Sequence, residues 1–176
     1  MKLASKSKNR LAILEMIQDG ILTDEVSSLI ESQSEEKVNE LIYPNLLEKI
    51  TDYVMDKKGF SRSLAREKAK TMIKSDESTT SPVKNIQFMG TDNRPFMVID
   101  VGGITVAVEI RKGNRGNSLR EGFGQSMIYS TIYDFVLCVF IDTSENQKIK
   151  HGSTSITEQY FLDNIWENFN IKFVVV

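Results

Sequence analysis

Residues 94–113 read RPFMVIDVGGITVAVEIRKG, and few segments leave a chain so little conformational choice. Strand-forming residues flank the pair Gly102-Gly103 on both sides. A glycine pair suits the two-residue turn that needs left-handed backbone at both central positions and matches the twist of its strands. The segment is expected to fold as an antiparallel hairpin in which Asp100 lies opposite Thr105 and Phe96 opposite Glu109. Side chains alternate along a strand, so Thr105, Ala107, Glu109 and Arg111 share one face with Asp100 and Phe96. A carboxylate set among valines costs several kcal/mol unless something pairs with it. What faces Glu109 is the question the sequence poses.

The rest of the chain supplies helices first and strands later. RLAILEMIQDG has apolar residues at helical spacing, and TDEVSSLIES follows with Thr23 as its N-cap. SEEKVNELIYPNLLEKITDYV, residues 34–54, carries Val38, Leu41, Ile42, Leu46, Ile50 and Val54 along one side. Pro44 is expected to kink or divide that helix. SRSLAREKAKTMIK reads as a basic helix and SDESTTSP as a polar loop. From residue 84 the period becomes that of strands: KNIQFM, PFMVIDV and ITVAVEIR. KGNRGN is loop and SLREGFGQSMIYSTIY is helical in pattern. DFVLCVFID is a continuous apolar strand, expected to be central or parallel. After the loop SENQKIKHGST, Ser155 and Glu158 form a capping box that opens ITEQYFLDNIWENF, and IKFVVV is a last strand. Helices, three strands, helix, strand, helix, strand imply a mixed sheet with helices on both faces.

Composition narrows the class. With 40% apolar and 26% charged residues the chain is ordinary for a globular domain, and its 176 residues suffice for one. No apolar run approaches the ~20 residues of a membrane-spanning helix. The basic start, MKLASKSKNR, leads into an amphipathic helix rather than a signal sequence. The single cysteine, Cys138, lies within FVLCVFI, which excludes a disulfide framework and makes a cytoplasmic setting the expectation. The only histidine, His151, sits in a polar loop, so histidine-dependent triads and histidine–metal nucleases are not expected. GNRGN lacks the spacing of a nucleotide-binding glycine loop. Net charge is −2, yet the positives are bunched, among them Arg111, Lys112, Arg115 and Arg120, and such patches attract phosphates.

A strand carboxylate followed two residues later by a basic group, after an antiparallel strand, resembles the PD-(D/E)xK nuclease superfamily. More narrowly, residues 34–141 resemble the N-terminal nuclease domain of type I restriction enzyme motor subunits. SEEKVNELIYPNLL is similar to that family's opening helix, with Glu35 as its acidic residue. RPFMVIDVGGITVAVEIRKG is similar to the catalytic hairpin, with Glu109 in the (D/E)xK position. GQSMIY resembles the Gln-x-x-x-Tyr motif of the following helix, here Gln125 and Tyr129. The resemblance implies a restriction-endonuclease-like three-layer αβα sandwich with a mixed central sheet over residues 33–176, preceded by a helical arm over 1–32.

The resemblance also implies chemistry. Mg²⁺ (or Mn²⁺) would be held by Glu109 with Asp100 or Asp92, and Glu35, and would activate water and neutralise charge on a scissile phosphate. Arg111 or Lys112 would stabilise that phosphate while Gln125 and Tyr129 position it. Lys112, Arg115, Arg120, Gln125 and Tyr129 would contact DNA. Two residues depart from the pattern. Phe96 stands where the family has its metal-binding aspartate, and Arg111 stands in the lysine position; arginine keeps the charge but does not lose its proton. With the glycine-pair turn, Asp100 is four residues from the partner of Glu109, about 13 Å along the strand. A bulge would shift the register, and another would bring Lys112 to the inner face. Three readings stand at this point: a metal-dependent DNA hydrolase; a degenerate member that binds nucleic acid or docks onto a restriction, defence or helicase complex without cutting; and an interaction domain working through its helices. A homo-oligomer is compatible with each.

Overall fold

The helical spacing near the start of the chain becomes three helices in the computed structural model, which describes residues 4–24, 35–75 and 83–176. They are α1 (Lys8–Ile21), α2 (Glu35–Lys58) and α3 (Arg62–Met72). Pro44 does not divide α2. It removes one intrahelical hydrogen bond, but Val38 and Ile42 before it and Leu46, Leu47 and Ile50 after it are all buried in one core. Tertiary burial thus holds both halves in line. The helix expected at TDEVSSLIES and most of the loop SDESTTSP lie outside the described residues, as does the 32/33 boundary. Before that boundary, α1 packs on α2 and places Ile13, Leu14, Ile17 and Ile21 in the same core as the sheet.

Seven strands follow among the described residues: β1 (Ile73–Ser75), β2 (Ile86–Phe88), β3 (Thr91–Asn93), β4 (Met97–Val101), β5 (Ile104–Gly113), β6 (Phe135–Asp142) and β7 (Ile171–Val175). Between them lie α4 (Gly116–Tyr129), a 3₁₀ turn at Glu145–Gln147, α5 (Lys148–Gly152) and α6 (Ile156–Phe169). The main sheet has the order β1-β4-β5-β6-β7, while β2 and β3 form a separate hairpin. β1, β4 and β5 are antiparallel neighbours; β5, β6 and β7 run parallel. The molecule is therefore α/β with a mixed five-stranded sheet, and β6, buried along its whole length, is flanked by parallel strands on both sides.

The β4–β5 register is the one the glycine pair implies: Met97 pairs with Val108 and Asp100 with Thr105. Gly102 and Gly103 both have positive φ, 61° and 78°. Gly102 is doubly constrained, because a Cβ there would lie 2.5 Å from Ile13 Cδ1 and 2.7 Å from the Tyr53 hydroxyl. One expected pair is missing. The ladder begins at Met97, and Phe96, half-buried, packs against the core that α1–α3 build with the sheet.

Two apolar layers result. Met97, Ile99, Val101, Ile104, Val106, Val108 and Ile110 point to one side and join the buried residues of α1–α3. Ala107, Val136, Cys138 and Ile171 join Tyr129 of α4 and Ile165 of α6. Ser155 caps α6 as the sequence indicates, its hydroxyl accepting from the Glu158 amide, while the Ser155 amide bonds the Gly152 carbonyl rather than the Glu158 side chain. Among the described residues no helix is long and apolar enough to cross a membrane.

Candidate functional site

Small residues bring α4 down onto the sheet. Gly122 lies where a Cβ would be 3.3 Å from Arg111 Cγ and 3.6 Å from Cys138 Sγ, and Ser126, one turn on, is fully buried. Gly113 is closed over by the first turn of α4, a Cβ there meeting Ser118 at 2.6 Å. The close approach sets the inner face of β5 against the α4 stripe carrying Gln125 and Tyr129, which share a helix face at their i, i+4 spacing.

Those residues form one hydrogen-bonded chain. Arg111 Nε donates to Glu109 Oε1 at 2.7 Å, and Arg111 Nη2 donates to Gln125 Oε1 at 2.7 Å. The Tyr129 hydroxyl donates to the same Gln125 oxygen at 3.0 Å. Glu109 is 2% exposed and Tyr129 is fully buried, while the Arg111 side chain keeps 27% of its surface open. The answer to the sequence's question is a guanidinium. Glu109 faces Arg111, and the pair satisfies the electrostatic demand of a carboxylate buried beside Cys138, its register partner on β6.

Burial first, and then the negative charge of Glu109, raise the Tyr129 phenol far above its usual 10, so it stays neutral and donates. The Arg94 backbone amide also reaches the phenol and ties the residues before β4 to the site. Burial pushes the Cys138 thiol up to about 12 from 9.0, with Glu109 adding to the rise. Such a thiol is a core group and no nucleophile.

The remaining expected site residues lie elsewhere. Asp100 is exposed near the hairpin tip, 3.8 Å from Lys74 Nζ. The β4–β5 ladder is continuous, so no bulge carries Asp100 toward Glu109, and about four residues of strand, roughly 13 Å, separate their positions. Asp92 is exposed on β3 with its carboxylate accepting from the Gln87 side-chain amide. Glu35 begins α2, and its side chain is outside what is described. Lys112 is not brought inward. The β5–β6 register runs unbroken through Arg111–Phe140 and Lys112–Ile141, which leaves Lys112 on the face opposite Glu109 and Arg111. Arg115 is the exposed N-cap residue of α4, and exposed Arg120 donates to Asn117 within its first turns. Arg115 and Arg120 thus stand at the start of α4, just past the end of β5, while Lys112 belongs to the last residues of β5 itself.

A divalent cation fits this donor set poorly. Magnesium needs several oxygen ligands in near-octahedral geometry. Glu109 gives one of its oxygens to Arg111, the family's aspartate position is the apolar Phe96, and Asp100 lies a strand's length away. Among the described residues no group of three or more His, Cys, Asp or Glu side chains is arranged to hold a metal ion. The arrangement holds a fixed positive charge, the Arg111 guanidinium, beside Glu109.

The strand expected at KNIQFM is β2, but sequence reasoning overlooked β3 and with it the β2–β3 hairpin, whose tip Phe88-Met89-Gly90 is exposed, with Phe88 facing α4. The signal was present in Gly90 following two apolar residues. It also overlooked Asp134, whose carboxylate takes Arg10 at 2.6 Å and the Thr105 amide at 2.8 Å, pinning the start of β6 to β5 and α1. No family model, curated protein or solved structure matches the chain.

Proposed function

We propose that this chain is a restriction-nuclease-like module that binds DNA without cutting it. The observation that carries the reading is the Arg111 guanidinium, pinned by Glu109 on one side and Gln125 on the other. A guanidinium so placed supplies the positive charge that would otherwise come from a metal, and it offers planar donors to a phosphate. It cannot lower the pKa of a water as a metal does, so the geometry favours phosphate binding over hydrolysis. The order helix, antiparallel hairpin, helix, parallel strand supports the restriction-endonuclease-like αβα fold. Arg115 and Arg120 extend the positive surface past the end of β5, and docking onto a restriction, defence or helicase complex is the role that suits a module of this kind.

The hydrolase reading rests on Glu109, held mid-strand in the position of the (D/E)xK acid, with Gln125 and Tyr129 following in order. One experiment separates the readings. Duplex DNA is incubated with the wild-type chain and with Glu109→Ala in Mg²⁺ or Mn²⁺, and binding is followed in parallel by anisotropy across a salt series. Binding that weakens steeply with salt, with intact DNA throughout, is the expected result. Metal-dependent cutting lost in Glu109→Ala would establish the hydrolase. Absence of both binding and cutting would leave the helices as the working surface.

A further inference from the structure

Three features beside the site have no explanation within the fold. The first is Gly124. Its neighbour Gly122 is demanded by Arg111 and Cys138, but a Cβ at Gly124 would meet nothing within 4 Å, and glycine is the costliest ordinary residue in a helix interior after proline. The second is Met89, 89% exposed with φ at 48°, a left-handed conformation that bulky side chains avoid. The third is Phe88, a large ring left 44% exposed at the same tip.

Gly124 and Phe88 meet at one place, and Met89 follows Phe88 at the hairpin tip. Phe88 and the α4 stripe Glu121, Gly124, Gln125 and Ile128 line an open, largely apolar cleft of about 540 Å³. Its floor is bare helix backbone at Gly124, flanked by an aromatic ring. Gln125 joins it to the Arg111 guanidinium, and since the Gln125 oxygen accepts from both Arg111 and Tyr129, its amide nitrogen is the group left to donate. Glu121 adds an acceptor at the rim. Exposed Lys84 and Arg94 stand at the two feet of the hairpin. A flat apolar surface, a ring to stack on, and a donor and an acceptor for a polar edge describe a receptor for one planar heterocycle.

We propose that this cleft receives an unpaired nucleobase of a DNA strand, its face against Gly124 and Phe88 and its edge toward Gln125 and Glu121. The proposal rests on the DNA-binding reading above and adds strand discrimination to it. A base inside a duplex is stacked on both faces and cannot enter, so the cleft favours single-stranded or distorted DNA. Phosphate contacts carry no such preference.

The test uses the full chain, a short labelled single strand and its blunt duplex, measured by anisotropy across a salt series, with thermal melts of each variant. Wild type should bind the single strand more tightly than the duplex. Gly124→Leu, which fills the cleft while keeping a good helix former, and Phe88→Ala should each weaken single-strand binding about tenfold, the scale of one lost base–aromatic stack. Their salt slopes should stay those of wild type, and Gly124→Leu should melt no lower, since it replaces a helix-interior glycine with open space around it. Gly124→Leu or Phe88→Ala binding the single strand as tightly as wild type would overturn the cleft while leaving salt-dependent duplex binding, and hence the broader reading, intact. A wild-type chain with no salt-dependent affinity for either probe would overturn both.

Discussion

The two faces of the central sheet are built on different chemistry. Toward α1–α3 the sheet presents Ile99, Val106 and Val108, which meet Ile17, Ile42, Leu46 and Ile50; every one of them is 0 or 1% exposed. Toward α4 it presents Ala107, Glu109 and Arg111, covered by Gly122, Ser126 and a hydrogen-bonded Gln125–Tyr129 pair. The first face stabilises by volume, through the burial of branched side chains at roughly 25 cal/mol per Å². The second gives up volume to bring a helix close and then sets charges in the gap. A buried ion pair contributes little net stability against a well-packed apolar replacement. Its position in the middle of β5, under α4, sets that face apart from the packed branched side chains of the other.

That contrast can be broken in four ways. The largest effect is expected from Arg111→Ala, which removes the guanidinium neutralising Glu109 and should cost about 3–5 kcal/mol by urea denaturation; a change under about 1 kcal/mol would mean the pair is not a buried one. On the opposite face, Leu46→Ala should cost about 2–5 kcal/mol with no change in DNA affinity, since only packing is lost. Tyr129→Phe removes the hydrogen bond to Gln125 and the contact with the Arg94 backbone, and should cost about 1–3 kcal/mol while leaving the melting transition cooperative. The smallest effect separates the faces most cleanly. Replacing the pair together, as Glu109→Leu with Arg111→Met, should leave stability near that of wild type while reducing DNA binding. Stability retained with binding lost identifies the polar face as functional; binding retained would assign it a purely structural role.

The polar face also predicts a pH dependence with a definite sign. Cys138 ionises near 9.0 when unfolded and near 12 in the folded chain. The folded state therefore holds the proton longer, and the stability this provides is full below pH 9 and falls as pH rises toward 12. Tyr129, raised from 10, acts in the same direction. Unfolding midpoints measured below and above pH 9 should fall with pH, and Cys138→Ala should flatten the first part of that fall.

The parts of the structure that read easily are those where one local rule decides. The Gly102-Gly103 turn and the alternation around it yielded the correct pairing from Met97 to Val108. The apolar run at 135–142 became the buried parallel strand, and Ser155–Glu158 became a helix start. Two of the three-residue strands are too short to show a period: Ile73–Ser75 reads as the end of the preceding helix and Thr91–Asn93 as loop, while Ile86–Phe88 is legible in the longer apolar pattern of KNIQFM. Pro44 misled because its local cost is outweighed by burial on both sides of it. At the site, spacing placed Glu109 with Arg111 and Gln125 with Tyr129. It could not show that Arg111 would span from one pair to the other, because a long side chain chooses its rotamer from the partners that tertiary packing supplies. Nor could it show that Lys112 would stay outside, since a bulge is a property of both strands and β6 matches β5 without one.

The early chain is latched by the late chain. Lys6 donates to the Glu167 backbone and side chain at 3.1 Å, and the Asn170 side chain donates to the Ala4 carbonyl at 3.0 Å. During synthesis, then, the segment around residue 5 leaves the ribosome long before its seat exists. The stretch ahead of α1 must wait untethered until residues beyond 165 emerge. Truncation past residue 165 should therefore be felt at the opposite end of the sequence, as exposure of residues 4–7 to protease.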